Sequence, residues 1–338
     1  MKKKEKKKKL QSFTCFVLGV INKLEEEERY GTAHVYWYAY KAFLEFVGGG
    51  EIFFGAINRR TLKRFEQYEA DLQNEWNTIS TYVRALRSVY HRAVDAEVIP
   101  GEYRLFSGVF TGTKVERKRA LQDEEMRRLL ADDDLCKPLH TQAEALPQTL
   151  PQALRQSRDM LSLMFRLQGM PLVDLLHLHR GDLRTDATGC TVLTCHRHKT
   201  GTPLRVTLTA EALALIDGYR STDPESPYLL CFFDGITGAK AIYHEYCRQL
   251  RLLNCRLTRL AALRGLHGVR VSSYTARHTW ATAAKFCLVP ETVISEGLGH
   301  SSLEVTRTYL KSFEHGELEQ ANKLVMARVL FGEASYWK

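Results

Sequence analysis

Apolar positions recur at helical spacing along the first hundred residues. In "TAHVYWYAYKAFLEFVGGG", which begins at Thr32, Tyr36, Tyr40, Phe43 and Val47 fall on one helix face, and Gly48 to Gly50 end the element. In "NTISTYVRALRSVYHRAVDAEVIP", Ile79, Val83, Leu86, Tyr90 and Ala93 form a second buried stripe. Asn77 or Thr78 is its expected N-cap, and Pro100-Gly101 its stop. Two further helices are expected, over 10–29 and about 58–72; the latter turns Leu62, Phe65 and Leu72 inward. Four helices of this length suffice for a small bundle over 10–103.

Residues 104–120 read as a linker, with Gly108, Gly112 and the charged run "KVERKR". A second unit, 121–338, opens with a helix at about 122–132, a loop around Pro147 and Pro151, and a helix through "RDMLSLMFRLQ". A turn at Gly169-Met170-Pro171 leads into "LVDLLHL". The span 189–208 alternates as strands do, and "HKTGTP" makes its hairpin turn. Helices follow at about 210–219, 240–264, 275–287, 290–297, 302–310 and 315–330; the last carries Leu324, Val325, Val329, Leu330 and Phe331. The class is mainly α with a small β-sheet (α+β), in two domains, without internal repeats.

Charge changes this picture at one end. The net charge is +9, and the tail 1–9, with seven lysines and one glutamate, supplies six of those charges. Elsewhere the basic residues lie on helix faces: Arg59, Arg60 and Lys63 on the third helix, and Arg84, Arg87 and His91 on the fourth. Two adjacent basic helix faces are a candidate nucleic-acid surface. The eight cysteines show no paired spacing, so a disulfide framework is not expected. Cys190, Cys195, His196 and His198 lie close together, but strand alternation sends neighbours to opposite faces and disfavours a metal site. There is no membrane-length apolar run and no secretory leader pattern, so a cytoplasmic protein is expected.

The candidate chemistry lies in the second unit. "SSYTARHTWATAAKF" places Arg277 and His278 at a helix start, where an arginine can grip a phosphate. "KTG" puts Lys199 on a hairpin tip, and "LGHSSLEVTRTYL" carries His300 and Tyr309. Two cations, an imidazole and a phenol suit attack of the phenol on a phosphodiester. The cations neutralise charge on the phosphate, the imidazole shares a proton and the lysine protonates the leaving alkoxide. A phenol, with pKa about 10, needs such neighbours to react.

These segments resemble the tyrosine recombinase (phage integrase) family. "YTARHTWAT" is similar to its H-x-x-R-H-T box, "LGHSSLEVTRTYL" to its L-G-H…Y box, and "HRHKTG" to its hairpin lysine. "NTISTYVRALRSVYHRAV", "KRAL" and "LQGMPLVDLLHLHRGDL" resemble the branch carried by Bacteroidetes mobile elements. The resemblance implies a helical core-binding (SAM-like) domain and a catalytic domain closing as a C-shaped clamp on duplex DNA. It implies a homo-tetramer on two DNA sites, working through a Holliday junction without cofactor, in the bacterial cytoplasm with the nucleoid. An accessory DNA-bending factor is a further candidate partner. Tyr309 would form the 3′-phosphotyrosyl bond, Arg277 bind the scissile phosphate, Lys199 act as general acid and His300 assist.

Two positions depart from the family pattern. Tyr274 stands where the box has its first histidine, and Pro171 stands where the first arginine is expected after the turn glycine. Arg166, on the helix before Gly169, is the first candidate substitute, and Arg180 the second. The missing arginine keeps a second class open, a DNA-binding regulator of the same fold with impaired catalysis. A nicking–resealing topoisomerase is a third.

Overall fold

The computed structural model describes residues 11–114, 120–131, 150–187, 189–300, 302–310 and Met326. The lysine tail, the expected loop around Pro147 and the expected helix over 315–330, Met326 apart, lie outside the described residues. The chain divides into two units, 1–116 and 117–338.

The first unit holds α1 (Phe13–Glu26), α2 (Tyr30–Phe46), α3 (Arg59–Asp71) and α4 (Trp76–Asp95). Ser12 Oγ accepts the Cys15 N–H at 3.0 Å and Asn58 Oδ1 that of Thr61 at 3.0 Å, which caps α1 and α3. Gly48 to Gly50 all take positive φ, between +79° and +88°, and so end α2. Edge-to-face rings fill the core: Phe13–Phe54 at 5.4 Å and Phe43–Phe65 at 5.2 Å. Such pairs add about 1 kcal/mol beyond their burial.

Three details differ from the sequence pattern. Val47 and Leu72 are C-cap residues and exposed, because the helices end before their side chains reach the core. Glu66 and Glu69 take the inner positions of α3 instead. Phe110 N–H donates to Glu66 Oε2 at 2.5 Å, and Asn74 Nδ2 to Glu69 Oε2 at 2.7 Å. The third detail is Asn77, which does not cap α4. It lies within the helix and exchanges two hydrogen bonds with the Lys114 backbone, at 3.0 and 2.8 Å.

The second unit packs α5 (Asp123–Leu130), α6 (Gln152–Arg166), α7 (Leu172–Leu176), α8 (Ala210–Gly218), α9 (Ala239–Leu263) and α10 (Ser273–Phe286) around one core. An antiparallel sheet, β1 (Leu183–Thr185), β2 (Thr191–His196) and β3 (Pro203–Thr207), lies in chain order. Leu193 pairs with Val206 and Cys195 with Leu204, and all four are buried. Two short helices, α11 (Glu291–Gly297) and α12 (Leu303–Arg307), follow α10. Ala281, Ile294, Leu298 and Leu310 form a small separate core there.

The stretch expected as a linker is docked over 104–114. Leu105 and Phe106 are buried in the bundle core, and Phe106 stands 5.8 Å from the Tyr90 ring. Ser80 Oγ donates to Gly112 O at 2.6 Å, and Lys114 Nζ lies over the Trp76 ring at 4.2 Å. Leu105, Phe106 and Val109 hold the segment against the bundle core. Phe106→Ala should therefore cost about 3 kcal/mol of unfolding free energy in urea titration. A loose linker residue would cost less than about 0.5 kcal/mol.

Candidate active site

The polypeptide turns sharply after α6. Gln168 and Gly169 both adopt left-handed φ, +57° and +68°. Gly169 is required there, since a Cβ would lie 2.7 Å from the Arg277 Cα. The turn aims the Gly169 carbonyl at Arg277, whose Nη1 donates to it at 3.1 Å. Arg277 lies one turn into α10, not at its start, and is 2% exposed. Its Nη2 donates to Leu298 O at 2.6 Å and meets His300 Nε2 at 2.7 Å. Burial, then the neighbouring Arg197, pull its pKa down to about 10.

His300 bonds through both ring nitrogens, and Nδ1 meets Thr306 Oγ1 at 2.8 Å. Arginine can only donate, so Nε2 must accept, and the proton of the neutral ring sits on Nδ1. Burial, Arg277 and Arg197 lower its pKa to about 4, in keeping with a neutral imidazole. Tyr309 follows α12 and is half-buried. Its ring stacks on His300 at 5.0 Å, and Arg277 lies over it at 5.2 Å. Arg277, His300 and Tyr309 thus meet in one pocket. Lys199 is exposed on the β2–β3 turn, which is closed by Arg197 N–H to Thr202 O at 2.8 Å.

A further arginine enters this pocket from the hairpin. Arg197 Nε lies 2.5 Å from Asp174 Oδ2, and its side chain is 11% exposed. Its Nη1 donates to Leu298 O, the same oxygen that Arg277 uses. Asp174 Oδ1 also accepts the His198 N–H at 2.8 Å, which ties α7 to the hairpin. Gly299, at φ +64°, permits the approach; a Cβ there would stand 3.1 Å from Arg197 Cγ. The signal in the sequence was Arg197's place two residues before Lys199, just past the end of β2.

The expected substitutes lie elsewhere. Arg166 bonds Ser162 Oγ at 3.3 Å and pairs with Glu211 at 3.5 Å. Arg180 is committed to the 221–228 loop, with Ser221 Oγ at 3.3 Å and Tyr228 O at 3.4 Å. Tyr274 lies in the first turn of α10, 48% exposed, and interacts with Tyr246. On the bundle, Arg59, Arg60, Lys63, Arg84 and His91 are exposed and Arg87 is half-buried. Three of them have acceptors within the protein: Arg59 donates to Tyr103 O at 2.5 Å, Lys63 pairs with Glu66, and Arg84 donates to Thr81 Oγ1 at 3.3 Å. On β2, Cys195 is buried and His196 exposed, and burial raises the Cys195 thiol to about 11. Among the described residues no cluster of three or more His, Cys, Asp or Glu is placed to hold a metal ion. None of their helices is long and apolar enough to cross a membrane.

Residues 12–106 match the phage integrase SAM-like domain, and residues 138–315 match the phage integrase family. No curated protein sequence matches the chain. Among solved structures, a lambda integrase dimer bound to a COC′ core site is similar, with a TM-score of 0.61 and 13% identity over 90% of this chain and 100% of that one. XerH site-specific recombinase in a post-cleavage complex with palindromic difH has a TM-score of 0.56 and 19% identity, over 79% of this chain and 70% of that one. The Tn1549 transposon integrase with a circular intermediate DNA has a TM-score of 0.52 and 12% identity, over 81% and 87%. At these identities the structures speak to the fold. The two family matches go further: the chain belongs to the phage integrase family of tyrosine recombinases and is a site-specific DNA recombinase.

The depressed His300 pKa predicts a pH dependence of stability without DNA. Between the ordinary value of 6.5 and about 4, the unfolded chain takes a proton that folded His300 refuses. The contribution is fully present above that window and is lost as pH falls through it. His300→Gln should flatten the fall of Tm between pH 7 and 4.5 in calorimetry. Unchanged slopes in wild type and variant would argue against a buried neutral imidazole.

Proposed function

We propose that Tyr309 is the nucleophile and that Arg277 and Arg197 together clamp the scissile phosphate. The observation that carries this reading is the convergence of both guanidiniums on the Leu298 carbonyl, beside the Tyr309 ring. The Tyr309 oxygen attacks phosphorus, a 3′-phosphotyrosyl bond forms and the bond to the 5′-oxygen breaks. Lys199 protonates that 5′-oxygen, and His300 takes the phenol proton on Nε2 once the bound phosphate draws the Arg277 N–H away from that nitrogen. The two arginines cover the non-bridging oxygens, on which charge gathers. The reverse attack by a 5′-hydroxyl rejoins the strand, so the phosphodiester energy is conserved.

Pro171 at the first-arginine position supports membership of the branch resembling Bacteroidetes mobile-element recombinases. Arg197 is the substitute in this reading, and Arg166 is not. The impaired regulator loses its support, because the vacated position is refilled by a guanidinium from the hairpin. The substrate is double-stranded DNA, bound in part through Arg60, Arg84, Arg87 and His91. A homo-tetramer on two sites, in the bacterial cytoplasm with the nucleoid and aided by a DNA-bending protein, completes the proposal.

A duplex carrying the recombination site, mapped from inverted repeats flanking the gene and nicked beside the cleavage point, tests the assignments. Wild type should trap as a covalent adduct, and Tyr309→Phe should bind without trapping. Lys199→Ala should lose most of its rate on normal DNA and regain it on a 5′-thiolate leaving group, which needs little protonation. Equal losses on both substrates would remove the general-acid role. Arg197→Ala should cut the adduct rate about a hundredfold or more. Arg166→Ala should react like wild type, and the reverse order of these two would return the substitution to Arg166.

A further inference from the structure

Tyr309 sits where its own element cannot hold it. Helix α12 spans only Leu303–Arg307, and so short a helix has no stability of its own. The local bond that continues it, Tyr309 N–H to Thr306 O at 2.9 Å, leaves the phenol's direction open. A misplacement of about 1 Å costs on the order of a hundredfold in rate, so some other element must fix the side chain.

The fixing groups lie on α10. His278 Nδ1 meets the Tyr309 carbonyl at 3.3 Å, and Thr282 Oγ1 donates to the same oxygen at 3.4 Å. A carbonyl only accepts, so Nδ1 carries the proton and donates. The His278 ring lies 4.7 Å from the Tyr309 ring at 37°, so two imidazoles, His278 and His300, flank the phenol. His278 and Thr282 are one helical turn apart and share a face, whereas Arg277 points about 100° away. We infer that His278, seconded by Thr282, is a positioning residue that holds Tyr309 at the phosphate bound by Arg277. This rests on the reading of Tyr309 as nucleophile. One rigid helix then sets both partners of the attack: Arg277 fixes the phosphorus and His278 the oxygen that approaches it.

The test separates positioning from a merely structural role. His278→Leu should slow single-turnover adduct formation on the nicked duplex by about thirtyfold to a hundredfold, with DNA affinity kept within about twofold. His278→Asn should recover most of that loss, because its amide nitrogen can reach the same carbonyl. In a Tyr309→Phe background, hydrogen peroxide serves as a small nucleophile that needs the phosphate clamp but no placed tyrosine. His278→Leu should leave that peroxide-dependent cleavage unchanged. A wild-type adduct rate in His278→Leu would overturn the inference, and so would a parallel loss of adduct formation and peroxide cleavage. Should His278→Leu fail to fold, Thr282→Val carries the test. A several-fold slower adduct rate with intact peroxide cleavage supports the inference, and a wild-type rate overturns it. An adduct surviving in Tyr309→Phe alone would overturn the nucleophile reading first, before any His278 variant is made.

Discussion

The site depends on one backbone oxygen. Leu298 O accepts hydrogen bonds from Arg277 and from Arg197, which brings a buried and a partly buried cation together. Like charges about 5 Å apart repel by about 3 kcal/mol at an effective dielectric of 20. The arrangement holds because a carbonyl has two lone pairs, because Gly169 O takes a further N–H of Arg277, and because Asp174 neutralises Arg197. One carboxylate against two guanidiniums leaves an excess positive charge, so the pocket is electrostatically complete only with an anion in it. Gly169 and Gly299 are the geometric conditions: a Cβ at Gly169 would strike the Arg277 backbone, and one at Gly299 would crowd Leu204 and Arg197.

The candidate catalytic set was legible where it is local in sequence. Arg277, His300, Tyr309 and Lys199 sit in short linear boxes, and their order identified the family. Arg197, the arginine proposed to fill the vacancy at Pro171, was not legible, because reading along the chain favours near neighbours. Arg166 and Arg180 flank the turn in sequence, but α6 and the 221–228 loop hold their side chains. Arg197 reaches the pocket only because α7 presents Asp174 to the β2–β3 hairpin. That contact is tertiary and leaves no periodic trace.

The bundle shows the same division. The stripes of α2 and α4 were read correctly where apolar residues recur inside the helix. Where a buried polar group takes an apolar place, as Glu66 and Glu69 do on α3, hydrophobic spacing picks the wrong inward residue. Leu72 was chosen on spacing alone, and the helix ends before it can turn inward. The 104–114 segment was read as a linker for its glycines, yet its phenylalanines decide where it lies.

Protonation supplies the last step. With Arg277 at about 10 and His300 at about 4, the site at neutral pH holds a charged arginine and a neutral imidazole. An imidazole with so low a pKa is a poor base toward a phenol whose ordinary value is about 10. Its depression comes from burial and from the two arginines, and the second of these causes is what a phosphate removes. An anion bound between Arg277 and Arg197 in the proposed reaction offsets their field and so raises the basicity of His300. In the proposed reaction, the group that accepts the Tyr309 proton is therefore weak in the free enzyme and strengthened by the phosphate it helps to cut. In that reading, the same two cations that orient the phosphate also set the moment at which Tyr309 can lose its proton.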